Sequence, residues 1–158
     1  MSETTKIYRC SGCGRPSFDP STDLVAIRMG GHHSCCPDRR MEVAAELPTK
    51  LASQLVFVKH VPKPGKDPLA DTWCWVWTGR TNRNGYGRTR WLGKEPVTHR
   101  LIFKLLKPEV KLTALDLLDH LCCNRPCGNP SHMDPVDNRT NTLRGEAVLF
   151  KRPEEYTT

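Results

Sequence analysis

The sequence predicts an α+β protein in two parts, a small metal-binding module followed by a larger domain of short strands and helices. Three observations lead to this prediction. The eight cysteines fall into an early and a late group, a proline-rich stretch separates the groups, and the second half combines a β-rich run with an amphipathic helical pattern. At 158 residues the chain is long enough for a small domain plus a module that is too small to build its own core.

Residues 1–58 contain a C-x-x-C-G turn, in which backbone amides can hydrogen-bond a thiolate while the glycine takes an unusual φ. This turn is similar to half of a zinc ribbon, and the segment 31–37 offers several pairs for the other half. The sequence does not decide which two residues complete the zinc site of Cys10 and Cys13. Cys36 is preferred as the third ligand, and either Cys35 or His33 would be the fourth. The candidate ligands are Cys10, Cys13, Cys36, Cys35, His33 and, at the same spacing from Cys35, His32. The sequence therefore predicts a zinc ion in an N-terminal module.

Two short helices and a linker are predicted after these cysteines. Residues 37–47 begin with a proline near the first helical position and carry apolar residues at helical intervals. Pro48 interrupts this pattern, and a second short helix is expected over residues 49–58. The stretch 59–71 is rich in proline and lysine and cannot hold a regular element, so it is the predicted linker between the two parts.

The second domain is predicted to cover residues 72–146, with a C-terminal tail from 147 to 158. It opens with a β-rich run at 74–77, and turn residues at 82–85 lead into an arginine-bearing run at 86–91. This pattern predicts a β-hairpin whose second strand carries the arginines. The tryptophans of this region are expected to fill its core.

Helical and strand patterns follow the hairpin. Residues 97–107 place apolar side chains on one face before Pro108, which predicts an amphipathic helix packed on the hairpin. The apolar run 115–122 predicts a strand. Residues 138–144 predict a final helix that ends at a glycine.

The charge of the chain is +7 and is unevenly distributed. Residues 74–107 hold eight basic side chains against Glu95 alone. A basic segment of this kind attracts polyanions and releases their counterions on contact, as a protein that binds DNA requires. The basic residues are Arg80, Arg83, Arg88, Arg90, Lys94, Arg100, Lys104 and Lys107.

The chain has no apolar run long enough to span a bilayer, and its first residues are unlike a signal peptide. We therefore expect a soluble, cytoplasmic protein without a membrane partner. In a reducing compartment, cysteines are better explained by metal binding than by disulfides.

A short window near the C-terminal end carries the chemistry. Asp119-His120 precedes a C-x4-C-x4-H set that begins at Cys122, and thiolate and imidazole are the ligands that tetrahedral zinc prefers. A histidine with a pKa near 6.5 can accept a proton at physiological pH. Asn141 and Arg144 follow with the spacing of one helical turn, so an amide oxygen and a guanidinium can face the same phosphate.

This window, together with the motifs upstream at 73–79, 84–87, 89–91 and 97–100, resembles the His-Me finger endonucleases, also called HNH or ββα-metal nucleases. The likeness is greatest to zinc-bearing members similar to the His-Cys box homing endonucleases. It covers roughly residues 72–146. The resemblance implies a ββα-metal fold and cleavage of double-stranded DNA to 5′-phosphate and 3′-hydroxyl products. It also implies an origin in a phage or mobile element.

The resemblance also implies the roles of individual residues. His120 is the general base, and Asn141 binds an Mg²⁺-type ion for which Asp119 is a possible second ligand. Arg90 contacts the scissile phosphate. His99-Arg100 matches a further family motif, and whether it contacts DNA or caps the helix is left open. Further DNA contacts are expected from Arg80, Arg83, Arg88, Lys94, Arg100 and Arg144.

The resemblance also implies a structural zinc site, which joins the upstream motif at 73–79 to the window that begins at Asp119. Its four ligands are Cys74, Cys122, Cys127 and His132, and Cys123 could replace Cys122 if the loop turned by one residue. Asn129 is expected to tie this loop through backbone hydrogen bonds. With the N-terminal module the chain would hold about two zinc ions.

The sequence thus predicts a metal-dependent DNA endonuclease, with a homodimer as a possible state. One alternative is a catalytically silent, zinc-dependent DNA-binding or regulatory protein. A second alternative is a nuclease that acts on RNA.

Overall fold

The computed structural model describes residues 3–18, 41–62, 69 and 72–144. The elements in chain order are strands β1 (Thr4–Cys10), β2 (Pro16–Ser17) and β3 (Met41–Pro48), helix α1 (Thr49–Ala52), strands β4 (Leu55–Lys59) and β5 (Trp73–Trp77), helix α2 (Thr98–Leu106), strand β6 (Leu117–His120), a 3-10 turn η1 (Pro130–His132), strand β7 (Met133–Val136) and helix α3 (Asn138–Arg144). The architecture is α+β, with short antiparallel sheets and few helices. The predicted tail at 147–158 lies outside the described residues.

The N-terminal sheet has the strand order β2-β1-β3, and both pairings are antiparallel. The prediction of a helix over residues 37–47 is wrong where the structure describes them, because 41–47 belong to β3. The apolar residues Met41, Val43, Ala45 and Leu47 alternate along the chain, which is the period of a strand. The apolar residues of this segment fit both a helical and a strand spacing. The hydrogen bonds with β1 along β3 favour the strand.

The second predicted helix, over residues 49–58, is confirmed for one turn only. Helix α1 ends at Ala52, and the chain enters β4 at Leu55. Strand β4 contains the β-branched residues Val56 and Val58, which pack well on a pleated surface. Its partner β5 comes from beyond the predicted linker, so the segment alone could not reveal the strand.

Strand β5 pairs with β4 in an antiparallel ladder that runs from Leu55 opposite Trp77 to Lys59 opposite Trp73. The predicted hairpin of residues 74–77 with 86–91 is therefore wrong in its partner. Residues 78–97 are instead held by isolated bridges, including one between Thr81 and Gly87. The predicted turn at 82–85 does form. The Asn82 side chain accepts backbone hydrogen bonds there, and Gly85 has a φ of +83°.

One hydrophobic cluster joins the chain segments on the two sides of the predicted linker. Trp75 and Trp77 lie in it, as predicted for the core of this region. Its buried members are Ile7, Leu47, Leu51, Ala52, Leu55, Trp75, Trp77 and Ile102. The N-terminal sheet therefore packs directly on the part of the chain that carries the candidate site.

Helix α2 confirms the predicted helix at 97–107 and connects two clusters. Ile102 packs in the shared core, while Phe103 packs with Leu118 of β6 and Met133 of β7. Leu105, expected on the buried face, is 40% exposed. The helix thus positions the β6–β7 pair relative to the core.

Strands β6 and β7 are antiparallel, with His120 opposite Met133 at one end and Leu117 opposite Val136 at the other. The prediction of a strand within 115–122 is confirmed, and α3 confirms the helix at 138–144. Strand β7 was not predicted, because it is four residues long and contains Pro135. The order from β6 to α3 is therefore strand, strand, helix. Within the described residues, no helix is both long and apolar enough to cross a bilayer.

Candidate metal centre and histidine site

Three cysteines and one histidine converge in a buried cluster. Cys74 lies on β5, Cys122 and Cys127 lie in the loop after β6, and His132 ends η1. The three Sγ atoms and one imidazole nitrogen all lie within 4.8 Å of one another. All four residues are buried. The structure thus brings together the four residues that the resemblance implied.

The distances within this cluster fit a tetrahedral metal. His132 Nδ1 lies 3.5 Å from Cys74 Sγ and 3.6 Å from Cys127 Sγ. Zinc bonds of about 2.3 Å to sulfur and about 2.05 Å to nitrogen, at a tetrahedral angle, place the two ligand atoms about 3.6 Å apart. Soft thiolates and an imidazole also form a donor set that suits zinc. The cluster could therefore bind a metal such as zinc.

The thiols of the cluster affect one another's ionisation. The pKa of Cys74 is lowered far below its usual value, first because the Cys122 and Cys127 thiols hydrogen-bond to its sulfur. Burial opposes this shift. A thiolate at Cys74 is the form that a metal ion needs as a ligand.

Asn129 ties the loop of the cluster, as the sequence predicted. Its side-chain oxygen accepts from Ser131 N at 3.0 Å, and its Nδ2 donates to the Trp73 carbonyl at 2.7 Å. Its backbone N–H points at Cys127 Sγ at 3.4 Å. The side chain is 1% exposed, so it fixes the metal loop to the start of β5 from within the protein.

Cys123 was the alternative to Cys122, and the structure places it outside the cluster. Its side chain is exposed and its φ is +53°, whereas Cys122 is 4% exposed and lies with Cys74 and Cys127. The left-handed backbone at Cys123 turns the chain so that only Cys122 faces inward.

The N-terminal candidates are described in part. Cys10 is buried and Cys13 half-buried, and they flank a turn in which Gly14 N donates to the Cys10 carbonyl. Gly14 has a φ of +70°, in agreement with the C-x-x-C-G prediction. His33, Cys35 and Cys36 lie outside the described residues, so the N-terminal zinc site remains a prediction.

His120 ends β6 beside the cluster. Its Nε2 lies 3.1 Å from the Cys127 carbonyl oxygen. A carbonyl oxygen only accepts, so Nε2 donates, and the neutral ring keeps its lone pair on Nδ1. The pKa of His120 is lowered, chiefly by burial, while the Cys127 carbonyl and Asp119 act in the opposite direction. Burial therefore favours the neutral imidazole at His120, and the hydrogen bond to Cys127 favours the tautomer with its proton on Nε2.

Other aromatic rings surround His120. The His99 ring lies 4.5 Å from the His120 ring, and the Tyr86 ring lies 5.9 Å from it. The Arg125 guanidinium stands 5.8 Å from the Tyr86 ring centre and donates to the Asn84 carbonyl at 3.0 Å. Sequence reasoning assigned no role to Tyr86 or Arg125. The contact between the Tyr86 and His120 rings joins residues distant in sequence, so only the structure reveals it.

His99 was left open between a DNA contact and a helix cap, and the structure bears on the cap. Helix α2 has no side-chain cap at its N-terminus, so His99 does not cap it. The ring instead packs against His120. The pKa of His99 is lowered to about 3, first by burial and then by unfavourable charge interactions with His120, when that ring is protonated, and with Arg100.

Asp119 lies directly opposite Asp134 in the β6–β7 ladder. Arg144 of α3 lies against both carboxylates, with its Nη1 at 2.5 Å from Asp134 and 3.6 Å from Asp119. Asn141 is half-buried one turn earlier on α3, and its N–H donates to the Asp137 carbonyl at 3.0 Å. Arg144 was expected to contact DNA, but in the structure it is paired with the carboxylates of Asp119 and Asp134.

The predicted DNA-contacting residues fall into two groups. Arg80 pairs with Glu95 at 2.7 Å. Arg100 donates to the Thr113 and Asp116 carbonyls, and so holds the chain before β6. The remaining members are exposed or half-buried side chains: Arg83, Arg88, Arg90 and Lys94.

The similarity of this chain to known proteins is limited. It is 35% identical to Protein 2.8 of Escherichia phage T7 in an alignment of 76 residues that covers 44% of this chain and 49% of the phage protein. The chain thus matches about half the length of this relative. No family model matches the chain, and no solved structure matches it.

Proposed function

We propose that this protein is a divalent-metal-dependent DNA endonuclease of the His-Me finger type, held together by a structural zinc ion. The observation that carries the proposal is the position of His120. It ends the first strand of a strand–strand–helix unit, and its Nε2 lies against the carbonyl of a Cys3His cluster residue. This arrangement supplies a base of defined direction beside a rigid loop.

The proposed reaction is hydrolysis of a phosphodiester. Nδ1 of His120 accepts a proton from a water molecule as the water oxygen forms a bond to phosphorus. The bond from phosphorus to the 3′ oxygen breaks, and a second water molecule protonates the leaving oxygen, so that the products are a 5′-phosphate and a 3′-hydroxyl. General-base catalysis of this kind contributes about 10² to 10⁴ in rate. The Cys127 carbonyl stabilises the imidazolium that forms, because Nε2–H already donates to it.

Asn141 and Asp119 are the residues proposed to hold the catalytic ion. When bound, an Mg²⁺-type ion stabilises charge on the phosphate and on the leaving oxygen. Amide and carboxylate oxygens are ligands that this ion accepts. The Asp119 and Asp134 carboxylates supply negative charge for a cation, and Arg144 neutralises part of it. Asp119 can bind the ion only if Arg144 yields its contact.

The zinc site would act on the base through the backbone. Cys127 supplies a ligand sulfur with its side chain and the acceptor of His120 Nε2 with its carbonyl. A metal ion that holds the Cys127 sulfur would therefore also hold the Cys127 carbonyl in place. Zinc would therefore set the direction of His120 without touching the substrate.

DNA is the proposed substrate because cations cluster upstream of the site. Arg90 is exposed and is proposed to stabilise the scissile phosphate, while Arg83, Arg88 and Lys94 contact other phosphates. The similarity to a phage protein supports a phage origin.

Plasmid cleavage with Mg²⁺, beside a His120→Ala variant, tests the proposal. The wild-type protein is expected to cut and the variant to be inactive with its zinc content unchanged. Supercoiled plasmid left intact by the wild-type protein would refute the nuclease. A labelled RNA of equal length in the same assay separates DNA from RNA specificity.

One observation favours a second candidate, a catalytically silent DNA-binding protein. Arg144 is paired with Asp119, which is a proposed ligand of the catalytic ion. If that pair persists on DNA, the wild-type protein would bind a duplex in a salt-dependent manner and leave it intact with any divalent ion.

A further inference from the structure

The ring of His99 forms one wall of the site around His120. The two rings meet edge to face, with centroids 4.5 Å apart and planes at 73°. Tyr86 lies beside both, at 5.5 Å from His99 and 5.9 Å from His120. No step of the proposed reaction uses His99.

We propose that His99 is a positioning residue, whose ring fixes the orientation of the His120 ring so that Nδ1 of His120 faces the substrate phosphate. This inference rests on the nuclease function proposed above. It adds a residue that acts through the base and does not touch the substrate.

The first argument is geometric. Nε2 of His120 makes a hydrogen bond to the Cys127 carbonyl, and a single hydrogen bond leaves the ring free to tilt about it. Rotation of a histidine ring about χ2 has broad minima, so its torsion alone does not hold the plane. The edge-to-face contact between the His99 and His120 rings removes this freedom.

The second argument concerns the support of His99. It lies in the first turn of α2, and the helix is anchored further along by Ile102 in the shared core. Phe103 of α2 packs against Leu118, two residues before His120 on β6. The elements that carry the two histidines are therefore packed on one another, and their rings keep a fixed relation.

The third argument concerns the chemical form of His99. Its Nδ1 is buried and has no hydrogen-bond partner among the described residues, so the ring acts here by packing and not by hydrogen bonding. The low pKa of His99, about 3, keeps the ring neutral. A neutral His99 ring places no second positive charge beside the imidazolium that forms at His120. A phenylalanine ring should therefore replace it.

Single-turnover cleavage at saturating protein tests this role with two substitutions at one site. His99→Ala is expected to slow the saturated rate by about 10- to 10²-fold, the cost of a displaced catalytic group, with DNA affinity unchanged. His99→Phe should recover the rate to within a few-fold of the wild-type protein. Leu105→Ala is the control, because Leu105 lies on the same helix but is 40% exposed and takes no part in the support of His99, so the rate should stay unchanged.

Two results would overturn the inference. One is a wild-type rate for His99→Ala. The other is a rate for His99→Phe as low as that of His99→Ala, because the imidazole nitrogens themselves would then be needed.

A second measurement separates this inference from the nuclease function. Histidine ¹⁵N NMR of the zinc-loaded protein without DNA should show His120 protonated at Nε2 in a single tautomer. In His99→Ala the His120 ring, held by that hydrogen bond alone, should gain mobility, so its ring signal should broaden and shift while the tautomer is kept. An unchanged signal would refute the positioning role even if the protein cut no DNA. A changed signal in a protein that cuts no DNA would leave His99 as the support of the ring and remove only the nuclease.

Discussion

Arg90 and Arg83 are exposed cations of the same basic segment, but they are proposed to meet different phosphates. If Arg90 acts on the scissile phosphate as charge develops there, Arg90→Ala should lower the saturated rate far more than the affinity. Arg83→Ala should lower the affinity and leave the saturated rate unchanged. Single-turnover rates and equilibrium binding of the two variants make the comparison. Loss of affinity alone in Arg90→Ala would make Arg90 an ordinary phosphate contact.

His99 also makes a prediction about stability and pH. Its pKa is lowered from 6.5 to about 3 in the folded protein, mainly by burial. The unfolded chain then binds the extra proton below pH 6.5 while the folded chain does not, so stability falls as the pH drops toward 3. His99→Phe removes this contribution and should flatten the loss. Other groups of the protein also contribute to the loss of stability in acid, so the readout is the difference between variant and wild type in urea unfolding at each pH.

At the scale of the metal loop, adjacent cysteines provide a matched pair. Cys122 is buried in the cluster, whereas Cys123 is exposed beside it. Cys122→Ser should lose the zinc ion of this site and unfold the loop, because structural zinc supplies folding free energy. Cys123→Ser should keep both metal and fold. Elemental analysis and thermal unfolding decide, and equal zinc loss in both variants would contradict the assignment of Cys122.

Elements defined by local signals were predicted well. Helix α2 has an apolar face and a proline just beyond its end, and both signals lie within the segment. The metal ligands came from resemblance, since C-x4-C-x4-H alone does not point to Cys74. Strands β3 and β4 were mistaken for helices because their partners β1 and β5 are distant in sequence. The contact of His99 with His120 depends on the packing of α2 on β6, which no local pattern encodes.

At the scale of the whole molecule, the N-terminal sheet and the candidate site share a core. Ile7 of β1 is fully buried in the cluster that contains Trp75 and Trp77. Ile7→Ala should therefore destabilise the whole protein by about 2 to 5 kcal/mol, as core truncations do. Tryptophan fluorescence, to which Trp91 contributes beside the three tryptophans of β5, should lose its folded signal at a lower urea concentration. An unchanged tryptophan transition would show that the two parts unfold independently.

The charge of the basic segment leads to a prediction about the salt dependence of DNA binding. Replacing Arg83 and Lys94 by alanine should weaken binding to all duplex sequences and reduce the slope of log K against log salt by about 0.9 for each lost phosphate contact. Lys6→Ala is the control, because it removes a positive charge from the exposed face of β1, outside the basic segment. A slope unchanged in the double variant would place the DNA on another face.

The position of Cys74 relative to the other ligands has a consequence for the unfolded chain. A metal held by Cys74 and Cys122 closes a loop that contains α2 and the basic segment. Such a cross-link restricts the unfolded ensemble, and the loop-closure entropy it removes grows only slowly with loop length. A metal that stayed bound in the denatured state would therefore hold the ends of this loop together. The loop could then refold without first searching for contacts between distant parts of the sequence.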